Sequence, residues 1–283
     1  MKENMTLANG TTIPTPGFGT YKICGEGARD IFRTALAVGY RHLDTASFYE
    51  NEADIAAAIK DSGIYRSDLF LTSKVWKDEM GYYSTKDAID RSLNRLATDY
   101  LDLYLVHWPR RDLELATWQE HLVYTWYAME EKMRDGAIRA IGVSNFLPHH
   151  IDVLYEHGNF EPTVNQIEYH PGYIQEETVQ YCKAKNILVE AWAPLGRAKV
   201  FDQPAIAAAA AKHGVSPAQI CLRFAYQNGI LPLPKASSKE RMAENTDFFS
   251  FTLDADEMAA IAGMPRAGWT GLHPDRPRET VTD

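Results

Sequence analysis

The chain has 283 residues, of which 45% are hydrophobic and 24% charged, and its formal net charge is −9 at pH 7. Such a chain can bury a large core, and its acidic balance disfavours a phosphate-backbone interface, so we expect a folded protein without a nucleic-acid partner. The chain shows neither a signal-peptide core nor about 18 consecutive apolar residues, which predicts a cytoplasmic protein without membrane contact.

Short β-rich segments recur along the whole chain. Asn9-Gly10 favours the positive φ angles of a tight turn and predicts an N-terminal β-hairpin between residues 5–7 and 11–13. Strand-like segments then precede helical ones throughout the chain. The predicted strands are residues 17–20, 42–44, 69–74, 101–107, 138–144, 163–168, 188–193 and 229–233.

Helical segments separate these strands. They are predicted at residues 29–38, 52–62, 85–96, 117–135, 149–156, 175–185, 205–213, 217–228 and 239–245. Ser216 before Pro217 is typical of an N-cap followed by proline at the first helical position. The glycines that follow helical segments predict left-handed C-caps, namely Gly39, Gly63, Gly136 and Gly158.

The alternation of strands with helices predicts a parallel sheet that closes into a (β/α)8 TIM barrel. An open doubly wound sheet is the alternative. No linker interrupts the alternation, so we expect residues 1–283 to form a single domain, with extra helices near the C-terminus. The tail after Trp269 is rich in Pro and Arg and is expected to wrap the barrel rim as a loop.

Polar residues fall at the ends of three consecutive predicted strands. Asp44 ends the second strand, Tyr49 follows it, Lys74 ends the third and His107 the fourth. Because strand C-termini share one mouth in a barrel, these side chains should converge. Hydride addition to a carbonyl places negative charge on oxygen and requires a proton donor at that atom.

Tyr49 is the predicted proton donor. A tyrosine has a pKa of about 10, and a nearby ammonium such as Lys74 would stabilise the tyrosinate and lower that pKa. Asp44 would orient Lys74, and a neutral His107 would hydrogen-bond the carbonyl oxygen. Taken singly, each residue also fits a capping, packing or rim role, but their combination favours a catalytic site.

Several motifs resemble the aldo-keto reductase family. GYRHLDTA at residues 39–46 with YENE at 49–52 is similar to the family signature, and LDLYLVHWP at 101–109 resembles a later strand. The resemblance spans residues 6–263. WAPLG at 192–196 and HPD at 273–275 are most similar to the microbial 2,5-diketo-D-gluconate reductase group. The family implies NADPH-dependent reduction of aldehydes or ketones, including small carbonyls, glyoxals and keto-sugar acids.

The resemblance also implies a nicotinamide cofactor extended across the barrel mouth. Ser144, Asn145 and Gln166 would hydrogen-bond its carboxamide, and Trp192 would stack on its ring. The segment 235–245 would bind the adenosine end, with a solvated basic helix start as the alternative. Lys235, Ser238 and Arg241 would bind the 2′-phosphate and favour NADPH over NADH. The other implied contacts are Gly19, Thr20, Tyr21, Asp44, Ala193, Pro194, Leu195, Gly196, Ala236, Ser237, Glu244 and Asn245.

Aromatic residues flank the predicted catalytic group. Phe48, Trp76 and Trp108 would form an apolar collar around the substrate, together with Tyr49 and His107. Arg110 and Arg111 follow closely, and one of them would bind a carboxylate or phosphate on the substrate. A solvated loop explains these two arginines equally well.

No metal site is expected. His149, His150 and the dispersed cysteines Cys24, Cys182 and Cys221 form no recognisable ligand set and fit surface or packing positions, with reduced, mostly buried thiols. Monomers are usual in the family, so a monomer is expected.

Two other functions remain open from the residues. One is a cofactor-sensing interaction protein, similar to the barrel subunits that associate with ion channels. The other is a Schiff-base aldolase on the same barrel, with Lys74 as the nucleophile.

Overall fold

The computed structural model describes residues 3–280 and begins with the predicted β-hairpin. Strands β1 (Glu3–Thr6) and β2 (Thr12–Thr15) pair antiparallel. Leu7, which follows β1, and Ile13 of β2 are buried in the same apolar cluster as barrel-interior residues. Asn9 donates a hydrogen bond to the carbonyl of Arg139 at the start of a barrel strand. The hairpin therefore closes the N-terminal end of the barrel.

Eight parallel strands follow one another in chain order in a single sheet. They are β3 (Phe18–Gly19), β4 (His42–Asp44), β5 (Phe70–Val75), β6 (Leu101–Val106), β7 (Ile138–Ser144), β8 (Val164–Glu168), β9 (Leu188–Trp192) and β10 (Leu231–Leu233). Backbone hydrogen bonds from Gly17 N to Pro232 O, 3.2 Å, and from Gly19 N to Pro234 O, 3.1 Å, join the first strand to the last. The predicted TIM barrel is confirmed, and the open sheet is wrong.

Helices cover the outside of the barrel. They are α1 (Ala28–Val38), α2 (Glu52–Ser62), α3 (Tyr82–Leu96), α4 (Trp118–Arg134), α5 (Pro148–His157), α6 (Glu176–Ala184), α7 (Pro204–His213), α8 (Pro217–Gln227), α9 (Lys239–Glu244) and α10 (Ala255–Ala262). Ser216 caps α8 as predicted, and Asp254 caps α10 by accepting from Glu257 N over 2.9 Å. Among the described helices, none is long and apolar enough to cross a bilayer.

One predicted C-cap differs from expectation. Gly39 and Gly63 have φ angles of 114° and 66°, as left-handed caps require, but Gly158 has φ −77°. A Cβ at Gly158 would lie 2.7 Å from Leu154 O and 2.8 Å from Trp126 Nε1. Close packing, rather than a left-handed backbone, therefore requires glycine at this position.

Side chains inside the barrel change from apolar to polar along the strands. Toward the N-terminal ends of the strands, Leu103, Val164 and Leu231 belong to one buried cluster. Toward the C-terminal ends the buried residues are polar, and they include Asp44, Lys74, Gln166 and Glu190. Because successive side chains of a strand alternate between its faces, the barrel gathers these polar groups below its mouth.

The C-terminal tail crosses the ends of β6, β7 and β8. Residues 269–280 form no helix or strand, as the tail composition predicts. Thr270 donates from its N and its Oγ1 to the Glu168 carboxylate, over 3.0 and 2.7 Å. Further along, Asp275 forms an ion pair with Arg110 over 3.3 Å. The tail therefore lies at the barrel mouth.

Candidate active site

The four predicted catalytic residues lie together below the barrel mouth. Lys74 is fully buried, and its Nζ donates to Asp44 Oδ1 over 2.7 Å and to Thr45 O over 2.8 Å. The same Nζ lies 5.1 Å from the ring centre of Tyr49, which is 5.6 Å from the ring centre of His107. A phenol, an ammonium and an imidazole therefore surround one small space.

The electrostatic surroundings keep Tyr49 protonated. Burial raises the pKa of Tyr49 well above its usual value, and the negative charge of Asp44 adds to this effect. The pKa direction is opposite to the lowering expected from Lys74, because burial is the largest cause and Asp44, which pairs with the ammonium, acts in the same direction as burial. At neutral pH, Tyr49 is therefore an acid that holds its proton, which suits a proton donor.

His107 is neutral, as its predicted role requires. Burial lowers the pKa of His107 well below its usual range, and the charges of Lys74 and Lys77 act in the same direction. Its Nδ1 is buried and finds no hydrogen-bond partner among residues 3–280. A neutral imidazole can hydrogen-bond a carbonyl oxygen without placing a second cation beside Lys74.

The predicted carboxamide ligands and the predicted stacking ring lie next to one another. Ser144 Oγ donates to Gln166 O over 2.8 Å. Asn145 has a left-handed backbone, with φ 63°, and its Oδ1 accepts from Trp192 Nε1 over 2.8 Å. These contacts orient the half-buried indole at the end of β9.

The predicted site omits Glu190, which the structure places beside it. Gln166 Nε2 donates to Asp44 Oδ2 and to Glu190 Oε2, both over 2.8 Å. Burial, followed by the charge of Asp44, raises the pKa of Glu190 to about 8. The spacing along β9 could have identified Glu190 from the sequence. Glu190 stands two residues before Trp192 on one strand, so both side chains lie on the same face.

Asn51 is a second residue that the predicted site omits. Its Nδ2 donates to Thr20 O over 3.0 Å and to Ile23 O over 2.9 Å, and its Oδ1 accepts from Thr45 Oγ1 over 2.6 Å. These bonds fix the loop after β3, whose Tyr21 ring lies 5.0 Å from that of Tyr49. Asn51 therefore holds the expected contacts Gly19, Thr20 and Tyr21 beside the catalytic group.

A group of cations stands at the mouth where the loop after β10 meets the loop after β3. Burial lowers the pKa of Lys235, and the charges of Lys22 and Arg197 lower it further. None of these three side chains, nor Arg241, forms an ion pair with a carboxylate among the described residues. Cations that lack anionic partners within residues 3–280 fit an anionic cofactor.

The remaining expected cofactor contacts follow β9 and β10. Ala193 and Gly196 have left-handed φ angles of 50° and 53°, which turn the chain sharply after β9. After β10, Ser238 caps α9 by accepting from Arg241 N over 3.4 Å. The others are the buried Pro194, Ala236 and Asn245, the half-buried Leu195 and Glu244, and the exposed Ser237.

Two rings of the expected aromatic collar, Phe48 and Trp76, lie beside His107. Phe48 and Trp76 stack with ring centres 3.9 Å apart, and Trp76 lies 4.9 Å from the His107 ring. Phe48 remains 47% exposed, so its outer face is open to a substrate. Lys77 Nζ lies 5.0 Å from the ring centre of Trp108, which places a cation at the collar.

The structure separates the roles of the two arginines after β6. Arg110 donates to Leu113 O over 2.7 Å and pairs with Asp275, so its guanidinium holds the tail. It is therefore not the free substrate ligand considered from the sequence, whereas Arg111 is exposed.

His149 and His150 are brought together with Asp275, which the sequence patterns do not group with them. His150 Nδ1 accepts from Leu147 N over 3.1 Å, so the ring proton resides on Nε2 and is donated to Asp275 Oδ1 over 2.8 Å. Both nitrogens of His150 are thus occupied by hydrogen bonds within the protein.

The three cysteines are free thiols. Cys182 and Cys221 are buried as expected, and burial raises the pKa of the Cys182 thiol to about 11. Cys24 is exposed in the surface loop after β3, so it takes the surface position of the two that were expected.

Comparisons with known proteins agree with this geometry. The model of the Aldo/keto reductase family matches residues 15–265. The chain is 41% identical to glyoxal reductase of Bacillus subtilis (strain 168) over 276 residues, covering 97% of each chain. It is 37% identical to methylglyoxal reductase DkgA of Escherichia coli (strain K12) over 272 residues, covering 95% of this chain and 96% of the relative.

Solved structures show the same fold. A Brucella melitensis aldo/keto reductase superposes with a TM-score of 0.87 at 39% identity, covering 93% of this chain and 99% of that one. A silkworm (Bombyx mori) aldo-keto reductase complexed with NADPH superposes with a TM-score of 0.88 at 33% identity, covering 97% of this chain and 90% of that one. The chain belongs to the aldo-keto reductase family, and it is an NADP-dependent oxidoreductase.

Proposed function

We propose that this enzyme reduces small aldehydes and ketones to alcohols with NADPH, and that Tyr49 donates the proton to the carbonyl oxygen. The observation that carries the proposal is the buried Lys74–Asp44 pair beside a protonated Tyr49 and a neutral His107. These groups supply what carbonyl reduction requires besides hydride: an acid, a hydrogen-bond donor and a compensating positive charge.

NADPH, when bound, supplies the hydride. Ser144, Asn145 and Gln166 are the proposed ligands of the carboxamide, and Trp192 is the proposed ring platform. Lys235 and Arg241 are the proposed ligands of the 2′-phosphate, where charge-assisted hydrogen bonds favour NADPH over NADH. The lack of carboxylate partners for these two cations among the described residues supports this assignment.

The chain's own groups control the proton. Tyr49 donates from its phenolic oxygen, and the Lys74 ammonium stabilises the charge that remains on that oxygen. Asp44 holds the ammonium in place over 2.7 Å. The neutral His107 hydrogen-bonds the carbonyl oxygen and sets its direction.

The proposed substrates are small carbonyl compounds, with glyoxals first. The relatives described as glyoxal reductase and methylglyoxal reductase support this class. Keto-sugar acids are also proposed, because Lys77 places a cation beside the aromatic collar. Phe48, Trp76 and Trp108 would exclude water around the reacting carbonyl.

The test is the Tyr49→Phe variant, assayed by NADPH oxidation with methylglyoxal, aromatic aldehydes and keto-sugar acids, with NADH in parallel. We expect kcat to fall by about 10²–10⁴-fold because the proton donor is lost. The NADPH dissociation constant should stay within about twofold, since the ring is retained. Tyr65→Phe, at a tyrosine that is 77% exposed, is the matched control.

Other outcomes identify the other functions. Unchanged turnover in Tyr49→Phe would refute the proton-donor role. Tight NADPH binding by the wild type without turnover of any carbonyl would favour a cofactor sensor. Covalent trapping of a carbonyl substrate on Lys74 by borohydride would favour the aldolase.

A further inference from the structure

Glu190 lies inside the barrel directly below the proposed cofactor site. It is fully buried on β9, and its Oε2 accepts from Gln166 Nε2 over 2.8 Å. Its Oε1 is also buried and has no hydrogen-bond partner among residues 3–280. A buried carboxylate with a single donor is costly, whereas the uncharged acid avoids most of that cost.

The charges around Glu190 favour the same state. Asp44 on β4 disfavours a second negative charge, and Lys74 on β5 attracts one but is already paired with Asp44 over 2.7 Å. On the neighbouring strands, Gln166 of β8 and Leu231 of β10 stand opposite Glu190 and are uncharged. The carboxylate of β8, Glu168, stands opposite Trp192 and is bound by Thr270 over 2.7 Å. Burial and Asp44 together raise the pKa of Glu190 to about 8.

Gln166 links Glu190 to the catalytic group. Both N–H bonds of its amide are used, one toward Asp44 Oδ2 and the other toward Glu190 Oε2. The two carboxyl groups therefore fix the orientation of the Gln166 amide. Its Oε1 is left to accept a hydrogen bond from a ligand at the barrel mouth. With Glu190 uncharged, Lys74 faces a single carboxylate.

We propose that Glu190 is a positioning residue that carries a proton at neutral pH, so that it orients the Gln166 amide toward the nicotinamide carboxamide without adding a second negative charge below Tyr49. The proposal rests on the proposed function for its consequence in cofactor binding. The protonation of Glu190 is independent of that function and can be measured without turnover.

Protonation is tested through the pH dependence of stability. Between pH 4.5 and about 8 the folded protein holds a proton on Glu190 that the unfolded chain has released, so the wild type becomes less stable as pH rises. Glu190→Gln removes this group and keeps an acceptor for Gln166. The unfolding constant of the wild type relative to Glu190→Gln should rise by about tenfold per pH unit between pH 5 and 7.5 in urea titrations.

Glu177→Gln, at an exposed glutamate of α6, is the matched control and should follow the wild type at every pH. If Glu190→Gln also runs parallel to the wild type, Glu190 is an ordinary ionised carboxylate and the proposal is wrong. If Glu190→Gln does not fold, ¹³C NMR of glutamate-labelled wild type decides the matter. One side-chain carboxyl should then titrate near pH 8, and titration of every glutamate below pH 6 would overturn the proposal.

The positioning role is tested by measuring the NADPH dissociation constant in a fluorescence titration. Glu190→Leu removes the acceptor and should raise the NADPH dissociation constant by about three- to tenfold, as expected for one hydrogen bond. Glu190→Gln should restore it to within about twofold of the wild type. Equal dissociation constants in Glu190→Leu and the wild type would refute positioning, whereas an active Tyr49→Phe variant would refute only the proposed reaction.

Discussion

Single charged residues inside the barrel have large energetic consequences, because water does not screen them. Lys74 and Asp44 are 0% and 5% exposed and lie 2.7 Å apart. Each compensates the other, and their attraction must offset the cost of removing both from water. The intact pair therefore contributes little net free energy to folding, whereas removing one partner costs much more. We attribute the pair to the proposed chemistry rather than to stability.

Lys74→Met should destabilise the protein by about 3–5 kcal/mol, because it leaves the Asp44 carboxylate buried without its counter-charge. Urea unfolding followed by circular dichroism measures the change. The exposed Lys60→Met is the control and should stay within about 0.5 kcal/mol of the wild type.

A double variant separates pairing from packing. Asp44→Asn with Lys74→Met should recover part of the stability lost by Lys74→Met alone, because the uncompensated charge is gone. If the double variant loses as much stability as the two single changes summed, the two groups do not interact.

At the scale of helices, strands and loops, the contact that bears most on the candidate active site is the attachment of the C-terminal tail. The tail meets the end of β8 through Thr270 and the start of α5 through Asp275. Burial lowers the pKa of His150 to about 4, so at neutral pH the contact is a hydrogen bond from a neutral ring to a carboxylate. The tail and the loops that carry the catalytic residues therefore lie at the same rim of the barrel.

Asp275→Ala should loosen the tail, because His150 and Arg110 both lose their acceptor. Amide hydrogen exchange in residues 269–280 should accelerate by up to about tenfold, while the amides of β5 and β6 stay protected. Asp256→Ala, at an exposed residue of α10, serves as the control. Unchanged exchange in the tail of Asp275→Ala would show that Asp275 does not hold it.

At the scale of the whole molecule, closure of the barrel couples distant parts of the chain. The hydrogen bonds between Gly17, Gly19 and the segment 232–234 join the two ends of the sheet. Opening the barrel therefore exposes interior positions on every strand. We propose on this basis that residues 1–283 form one domain, and we propose a monomer because monomers are usual in the family.

A single domain should unfold in one cooperative transition, with identical midpoints by circular dichroism and tryptophan fluorescence. Tryptophans on separate elements, including Trp126 on α4 and Trp192 on β9, report from distant regions. Sedimentation equilibrium should give 31.9 kDa. Two separated transitions would contradict the single domain, and twice that mass would contradict the monomer.

Local sequence patterns determined the fold class and the candidate catalytic group. Turn residues, caps and strand-like segments depend on neighbouring residues, so they predicted the hairpin, the barrel and the boundaries of α2, β4 and β7. The same patterns gave no boundaries for α10. They also placed Asp44, Lys74 and His107 at strand ends, where a barrel gathers its polar residues.

Only the tertiary structure decided which polar groups meet inside the barrel. Gln166 bonds Asp44 across 122 positions of the chain, and Asp275 bonds His150 across 125. Such partners depend on barrel closure and the path of the tail, which no local period encodes. The protonation of Glu190 and Tyr49 follows from burial and from charges brought by other strands, so it exists only once the chain has folded.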